Sequence, residues 1–282
     1  MSHQFRFTKE SKERLKNFLL GESAAPQQEE APAPVETPAA PPLTDVSVAV
    51  RTDIGKVRQS NQDALIAAPE MRLWGVADGM GGHNGGETAS AGARDGLVQQ
   101  LSGKSPEQGA LRTAIGAVNR SLYLQQKEDD ALSGMGTTLT ALWVSDSCVY
   151  IGHVGDSRAY RLRDGEFKQI TEDHSVVAEL LRSGMLTPEQ AAAHPVRNVI
   201  TRAVGTEDSI EIDLMCEERQ AGDIWLVCSD GLHGMVTDEQ MAEIIKNNKL
   251  EKAADKLIRA ALDAGGRDNV SLVLLQDKGA QA

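Results

Sequence analysis

Several aspartates in this chain stand at the ends of apolar runs, beside glycine or asparagine. Asp78 follows the apolar run Leu73–Ala77 and precedes Gly79. Four further motifs are similar: Asp156 and Asp230 follow apolar runs beside glycine, Asp268 precedes one beside asparagine, and Asp63 precedes one in Asn61-Gln62-Asp63. Each position alone also fits an ordinary turn, because aspartate beside glycine or asparagine is common there. A strand-end carboxylate beside a free backbone carbonyl is equally a ligand set for a hard cation.

Taken together, the aspartates favour a metal centre over a series of unrelated turns. Carboxylates that converge on one rim of a sheet repel one another unless a cation neutralises them. Oxygen ligands without clustered histidine or cysteine favour Mg²⁺ or Mn²⁺ over Zn²⁺. Two such ions, about 4 Å apart, could activate a bridging water for in-line attack on phosphorus.

Short apolar strands and paired helices must position these aspartates. Strands are predicted over 46–50, 64–68, 73–77, 137–144, 148–154, 159–162, 167–170, 210–215, 223–228 and 270–275. Helices are predicted near 86–101, 107–127, 237–247 and 250–264. The pair Asp164-Gly165 is a strong hairpin signal. Two groups of strands, each followed by a helical pair, predict an α+β fold: two packed, mainly antiparallel sheets flanked by helices, an α-β-β-α sandwich.

Composition changes along the chain and suggests its domain boundaries. Residues 1–20 are basic with apolar residues at helical spacing, which is typical of a frayed tail, a short docking helix or a weak membrane-surface contact. Residues 21–43 are rich in Ala, Pro, Glu and Gln, so that we expect a largely disordered linker. We expect the folded domain over 44–276, with a small helical flap at about 175–205 and a short tail at 277–282.

Overall composition excludes several classes of function. The 282 residues include 41 acidic and 29 basic side chains, a net charge of −12 that argues against nucleic acid as the main partner. No apolar run approaches the length of a membrane span, and the N-terminus lacks a signal-peptide core. Cys148, Cys216 and Cys228 lie in apolar runs, which predicts buried reduced thiols and a cytoplasmic protein. None of them begins a Cys-x5-Arg loop, so cysteine-phosphatase chemistry is excluded.

The motifs in combination resemble the metal-dependent protein Ser/Thr phosphatases of type 2C, the PPM family, in their bacterial form. The resemblance spans about residues 44–276. It rests on Arg58 with Asn61-Gln62-Asp63, Asp78-Gly79-Met80-Gly81-Gly82-His83, Gly136-Thr137-Thr138, Gly155-Asp156-Ser157-Arg158, Thr171-Glu172-Asp173-His174-Ser175, Ser229-Asp230-Gly231 and Asp268-Asn269. It implies a hydrolase that dephosphorylates phosphoserine and phosphothreonine in proteins. Attack would come from a metal-bound hydroxide, without a phosphoenzyme intermediate.

The resemblance also implies a role for each aspartate of the binuclear site. Asp78 would bridge two ions, Mn²⁺ or Mg²⁺, and Gly79 would give a carbonyl oxygen to one of them. Asp230 and Asp268 would complete the site. Asp63 would hold metal-bound waters.

Two further positions match the family pattern. Asp156 matches the aspartate of a third, weaker metal, which it would share with Asp230. Arg58 matches the arginine that grips the substrate phosphate, a role suited to a planar and permanently charged group. The partners implied are phosphoSer and phosphoThr proteins, including a cognate Ser/Thr kinase and its substrates. Nothing in the sequence demands more than a monomer.

Two departures from the family pattern affect the predicted site. Met80 stands where eukaryotic members carry a histidine as proposed general acid; His83 either replaces that histidine or only orders the loop. Gln62 stands where many members have glutamate, which would weaken one water-mediated metal contact. His153 and His174 are expected to be structural.

Three other functions remain open at this point. A catalytically silent module could bind phosphoproteins without hydrolysing them, although the complete carboxylate set argues against it. A two-metal nuclease fits the carboxylates but not the acidic charge balance. If the protein is a phosphatase, the alternative to a partner of a Ser/Thr kinase is a stress-response enzyme that acts on an anti-sigma-factor antagonist.

Overall fold

The structure, a computed structural model, describes residues 45–81, 85–192 and 194–279. The basic segment and the linker predicted over 1–43, and His83, lie outside these described residues. No helix in the described part of the chain is both long enough and apolar enough to cross a membrane.

Eleven strands form two antiparallel sheets in the described residues. In chain order they are β1 (Val46–Asp53), β2 (Asp63–Ala68), β3 (Leu73–Met80), β4 (Gly136–Thr137), β5 (Leu139–Val144), β6 (Cys148–Val154), β7 (Arg158–Arg163), β8 (Glu166–Gln169), β9 (Asp213–Glu218), β10 (Ile224–Cys228) and β11 (Val270–Asp277). One sheet has the order β1-β11-β10-β7-β8, and the other has the order β2-β3-β5-β6-β9 with β4 paired to β3.

Seven α-helices accompany the sheets in the described residues. They are α1 (Gly85–Leu101), α2 (Gln108–Glu128), α3 (Val176–Arg182), α4 (Pro188–Ala192), α5 (Asp230–His233), α6 (Asp238–Lys246) and α7 (Leu250–Asp263). The second helix buries one apolar stripe: Leu111, Ile115, Val118 and Leu122. Full burial of such a side chain contributes about 1.5–3 kcal/mol, so this face holds α2 in place.

Three apolar cores stack in layers and confirm the predicted α-β-β-α sandwich. In β3, alternate side chains serve different cores, because successive side chains of a strand point to opposite faces. Trp74 packs between the two sheets together with Trp225. Leu73 and Ala77 face the other way, into the core beneath α1 and α2. The third core lies between the first sheet and the helices α6 and α7, and contains Leu257.

The element boundaries differ from the sequence prediction at three places. The run 137–144 is broken at Thr138, whose backbone and hydroxyl bind Asp78 instead of continuing the ladder. The strand predicted over 210–215 is displaced to β9, because Asp213 is the first residue that pairs with β6; Ile212 packs into the helical core instead. The short helix α5 was not predicted, since four residues are too few to show a helical period.

The cysteines correct one expectation. Cys148 and Cys216 form a disulfide between the neighbouring strands β6 and β9, with their Cα atoms 6.1 Å apart. The prediction of three reduced thiols is therefore wrong for this pair, which is separated by 68 residues and meets only through the strand register. Cys228 is free and buried, as predicted.

The predicted hairpin and the helical insertion both appear in the described residues. Asp164 and Gly165 adopt φ angles of 50° and 83°, the paired left-handed conformation of a tight two-residue hairpin turn. Between β8 and β9 the chain forms α3 and α4. The Ser175 side chain caps α3 by accepting a hydrogen bond from the backbone N–H of Ala178.

Candidate active site

One cavity of about 250 Å³ collects most of the predicted site residues. Six of the residues that line it were singled out from the sequence: Arg58, Asp78, Gly79, Asp156, Asp230 and Asp268. Gln62, Met80, Thr138 and Asn198 line it as well. The strand-end carboxylates therefore converge in space, although the chain separates the first from the last by most of the domain.

Asp78 is held by its backbone so that its side chain faces the cavity. Its N–H donates to the hydroxyl of Thr138 at 2.9 Å. Its carbonyl oxygen accepts from the backbone N–H of Thr138 and from the hydroxyl of Thr137, each at 2.9 Å. The Thr138 hydroxyl also lies 2.7 Å from that of Ser157, which follows Asp156. The two threonines thus position Asp78, and Thr138 connects it to the loop that carries Asp156.

Gly79 occupies a position that no larger residue could fill. A Cβ atom there would lie 2.0 Å from the carbonyl oxygen of Gly86, in the first turn of α1. Its N–H donates to the carbonyl oxygen of Gln62 at 3.0 Å. The glycine lets α1 and the loop before β2 approach β3 closely.

Asp63 lies beside the cavity rather than among its lining residues. The strand register places it directly opposite Asp78. Its Oδ2 accepts a hydrogen bond from the Ser229 hydroxyl at 2.8 Å, whereas its Oδ1 is buried and has no hydrogen-bond partner. Oδ1 of Asp230 is likewise buried without a partner. Buried carboxylate oxygens are costly unless paired, so these two atoms fit a bound cation.

Asp230 and Asp268 are brought together by the contact between α5 and the start of β11. A Cβ atom at Gly231 would lie 1.9 Å from the carbonyl oxygen of Asn269, so that α5 abuts this backbone. The Asn269 amide donates to the carbonyl oxygens of Ile54 and Ser60, each at 2.9 Å. Asn269 therefore joins the loop before β2 to the element that carries Asp268.

Arg58 lies at the mouth of the cavity. Its guanidinium donates to Oδ2 of Asp268 at 2.6 Å, and 49% of its side chain is exposed. The hydrogen bond to Asp268 raises the pKa of Arg58, with smaller contributions from the charges of Asp78 and Asp230. Because half of its side chain is exposed, the guanidinium is accessible to an anion that enters the cavity while it is paired with Asp268.

The carboxylates destabilise one another in the absence of a cation. Burial, followed by the charges of Asp63 and Asp230, raises the pKa of Asp78 well above its usual range. Burial and the charge of Asp156 raise the pKa of Asp230 to about 8. Burial raises the pKa of Asp156 to about 6 and also raises that of Asp63. A divalent ion would favour the ionised forms and reverse these shifts.

The geometry fits ions that keep part of their water shell. Within the described residues, no three His, Cys, Asp or Glu side chains already surround one point as ligands. Mg²⁺ usually takes one or two carboxylates and retains several waters, so a complete protein cage is not required. The donor set is entirely oxygen: carboxylates and a backbone carbonyl. It fits Mg²⁺ or Mn²⁺ and not a zinc cage of histidine and cysteine.

The two histidines expected to be structural make structural contacts. His153 is buried, its Nδ1 lies 2.9 Å from the Thr140 hydroxyl, and burial lowers its pKa to about 4. Nδ1 of His174 accepts from the N–H of Gly155 at 3.0 Å, and its Nε2 lies 3.1 Å from Asp213. His174 therefore supports the loop before Asp156, and His153 joins β6 to β5 and to the backbone of Glu172.

Two residues near the cavity were not predicted from the sequence. Asn198, in the segment after α4, lines it directly. His233, the last residue of α5, binds the backbone of Asp156. No motif marks Asn198, because only the packing of the helical insertion brings it there. His233 did carry a signal, since it follows Asp230 by three residues.

Comparison with known proteins agrees with this geometry. The family model described as protein phosphatase 2C matches residues 55–269, a region that contains Arg58 and every aspartate predicted for the metal site. The serine/threonine phosphatase stp of Listeria innocua is 40% identical over 240 residues, which cover 80% of this chain and 94% of that protein.

Solved structures extend the similarity to three dimensions. The serine/threonine phosphatase PstP/Ppp of Mycobacterium tuberculosis matches with a TM-score of 0.79 at 39% identity, over 83% of this chain and 99% of that chain. The catalytic domain of PstP in complex with two manganese ions matches with a TM-score of 0.76 at 38% identity, over 82% and 98% respectively.

Proposed function

This chain belongs to the protein phosphatase 2C family and is a metal-dependent protein serine/threonine phosphatase, and we propose that the cavity lined by Asp78, Asp230 and Asp268 is its active site. The observation that carries the proposal is the pair of buried carboxylate oxygens without hydrogen-bond partners, Oδ1 of Asp63 and Oδ1 of Asp230. Asp230 lines the cavity together with the half-exposed Arg58, and Asp63 pairs with the cavity-lining Asp78 in the strand register.

We propose that two ions, Mn²⁺ or Mg²⁺, are held by the side chains of Asp78, Asp230 and Asp268 and by the carbonyl oxygen of Gly79. The relative PstP, whose catalytic domain is in complex with two manganese ions, supports this number. A third, weaker ion would lie between Asp156 and Asp230. When bound, the ions would supply an activated water as nucleophile and would neutralise charge on the phosphate.

Arg58 would bind the phosphate of the substrate. Its fork of N–H donors suits two phosphate oxygens at once, and a charged guanidinium stabilises negative charge that develops during transfer. In the structure the guanidinium is paired with Asp268 at 2.6 Å. Bound ions would offset the negative charge of Asp268, so that the Arg58 guanidinium could leave this carboxylate and bind the substrate phosphate. Metal binding and phosphate binding would therefore favour each other.

Asp63 would orient water beside the ions. The Ser229 hydroxyl donates to its Oδ2, which fixes the carboxylate and leaves Oδ1 without a hydrogen-bond partner. Met80 lines the cavity but carries no proton to donate to the leaving group. The role of His83 as general acid stays a prediction, because this residue lies outside the described part of the chain.

The substrates would be phosphoSer and phosphoThr proteins made by a cognate Ser/Thr kinase, and the enzyme would act as a cytoplasmic monomer. The relative stp supports the substrate class through its designation as a serine/threonine phosphatase.

A phosphothreonine peptide tests the proposed function directly. The purified full chain should hydrolyse it, lose activity in EDTA and recover it with Mn²⁺ or Mg²⁺. Asp78→Asn should abolish turnover while leaving the thermal unfolding transition cooperative. A wild type that binds the peptide without hydrolysing it under any metal would favour the binding module. Activity on DNA but not on phosphopeptide would favour the nuclease.

A further inference from the structure

His233 connects two parts of the proposed active site. It ends the short helix α5, which begins at Asp230, and its Nε2 lies 3.0 Å from the backbone oxygen of Asp156. A carbonyl oxygen can only accept, so Nε2 carries the proton and donates it. One hydrogen bond therefore joins the helix that carries Asp230 to the loop that carries Asp156.

The helix end of this connection is fixed by close packing. Gly231 abuts the carbonyl oxygen of Asn269, where even a Cβ atom would lie at 1.9 Å. The N–H of Gly234 donates to the carbonyl oxygen of Asp230 at 2.7 Å and closes the helical turn. Because α5 cannot shift toward β11, the position of the His233 ring is fixed relative to the loop that carries Asp156.

The loop is held at the preceding residue by His174. The N–H of Gly155 donates to Nδ1 of His174 at 3.0 Å, and the backbone N–H of His174 donates to the carbonyl oxygen of Gly155 at 2.8 Å. The imidazoles of His174 and His233 therefore bind the backbone of two consecutive residues, Gly155 and Asp156. Asp156 and Asp230 both line the cavity.

This tie acts against an electrostatic force. Asp156 and Asp230 line the same cavity, so their carboxylates repel each other when both are ionised. His233 binds the backbone oxygen of Asp156 and leaves its side-chain carboxylate for an ion. It therefore restrains the Asp156 residue without competing for that carboxylate.

We propose that His233 is a positioning residue that sets the separation between Asp156 and Asp230, and so the affinity of the weaker ion that they would share. The inference rests on the proposed function. It differs from a general contribution to stability. Loss of this hydrogen bond should free Asp156 and weaken one ion position, whereas Asp78, Asp230 and Asp268 should still hold the binuclear pair, because packing of Gly231 against Asn269 fixes Asp230 independently.

Two substitutions separate these possibilities in the full-length protein. His233→Gln keeps an N–H donor on a flexible side chain, and His233→Leu removes the donor while keeping similar bulk. Metal-free protein is titrated with Mn²⁺, and binding is followed by calorimetry and by the paramagnetic resonance signal of free Mn²⁺. Thermal unfolding of the metal-free variants reports whether each one folds.

In the wild type we expect two tight Mn²⁺ sites and one weaker site. His233→Leu should weaken the weak site about tenfold, the effect of losing roughly one hydrogen bond, and should leave the tight sites unchanged. His233→Gln should restore at least part of the affinity. In an Asp156→Asn background, His233→Leu should have no further effect.

Different outcomes overturn different claims. An unchanged weak site in His233→Leu, or equal weakening of all sites, overturns the positioning role and leaves the active-site assignment standing. Absence of Mn²⁺ binding in the wild type overturns both. If His233→Leu does not fold, His233→Ser, whose side chain is too short to reach Asp156, is titrated in its place.

Discussion

Asp63 and Asp78 lie directly opposite each other in the register of the antiparallel strands β2 and β3. Opposed residues of such a pair point to the same face with Cβ atoms about 4.5–5.5 Å apart. Burial raises the pKa of both carboxyl groups, and each is raised further by neighbouring aspartates. The register therefore brings two buried carboxyl groups together where a cation would stabilise their ionised forms.

The stability of the metal-free protein should depend on pH through Asp230. Burial and the charge of Asp156 raise its pKa from 3.8 to about 8, so the folded state holds this proton more tightly than the unfolded state. Its contribution is fully present below pH 3.8 and is lost progressively as pH rises to about 8. We expect metal-free Asp230→Asn to melt above the wild type at pH 8, with a gap that narrows toward pH 4.

Thermal unfolding in EDTA across this pH range measures the effect. Each kcal/mol corresponds to a shift of about 2–4 °C for a domain of this size. Asp263→Asn, at an exposed residue at the end of α7, is the matched control and should follow the wild type. Identical melting of Asp230→Asn and the wild type at pH 8 would contradict the prediction.

Arg58→Ala should impair catalysis without unfolding the protein. The side chain is half exposed, but its proposed hydrogen bonds to phosphate are charge-assisted. We expect kcat/KM on a phosphothreonine peptide to fall by about 10- to 100-fold. Arg51→Ala provides the control, since Arg51 forms surface ion pairs with Glu251 and Asp255 outside the cavity and should retain full activity. Equal loss in the two variants would argue against phosphate binding by Arg58.

Gly79→Ala should disrupt the packing of β3 against α1. The new methyl group would lie 2.0 Å from the carbonyl oxygen of Gly86, so either the strand or the first turn of α1 must shift. We expect a loss of about 1–3 kcal/mol in the free energy of unfolding, and weaker Mn²⁺ binding. Urea titration of the metal-free protein and calorimetry with Mn²⁺ check the two effects.

The control for this change lies in α2. Gly116 is helical with open space around its Cα, so Gly116→Ala should be neutral or should stabilise the protein by up to about 1 kcal/mol. If Gly79→Ala were as stable as Gly116→Ala and bound Mn²⁺ normally, the close approach would have no functional consequence.

Thr138→Val should loosen Asp78. The substitution removes the hydroxyl that accepts from the Asp78 N–H and contacts Ser157, but it keeps the shape of the side chain. Since the Asp78 N–H is left without its acceptor, we expect a cost of about 1–3 kcal/mol and a lower Mn²⁺ affinity. Thr113→Val, on the exposed face of α2, should change neither quantity. Unaltered Mn²⁺ affinity in Thr138→Val would contradict a role of Thr138 in positioning Asp78.

Local patterns determined much of this protein. The period of apolar residues predicted the long helices and most strands, because burial of one face requires that period wherever the element sits. The pair Asp164-Gly165 predicted its hairpin, because the turn requires left-handed backbone at both positions. The sequence also supplied the residue types for chemistry: aspartates at strand ends, with glycines that allow close approach.

Only the tertiary structure decided which of these residues meet. The register of β2 and β3 set Asp63 against Asp78, and the pairing of β6 with β9 joined Cys148 to Cys216 against expectation. The hydrogen bond from His233 to Asp156 spans 77 residues of chain. Such contacts depend on strand order and layer packing, which no local period encodes. The sequence therefore determined the residues proposed as ligands, and the fold determined their geometry.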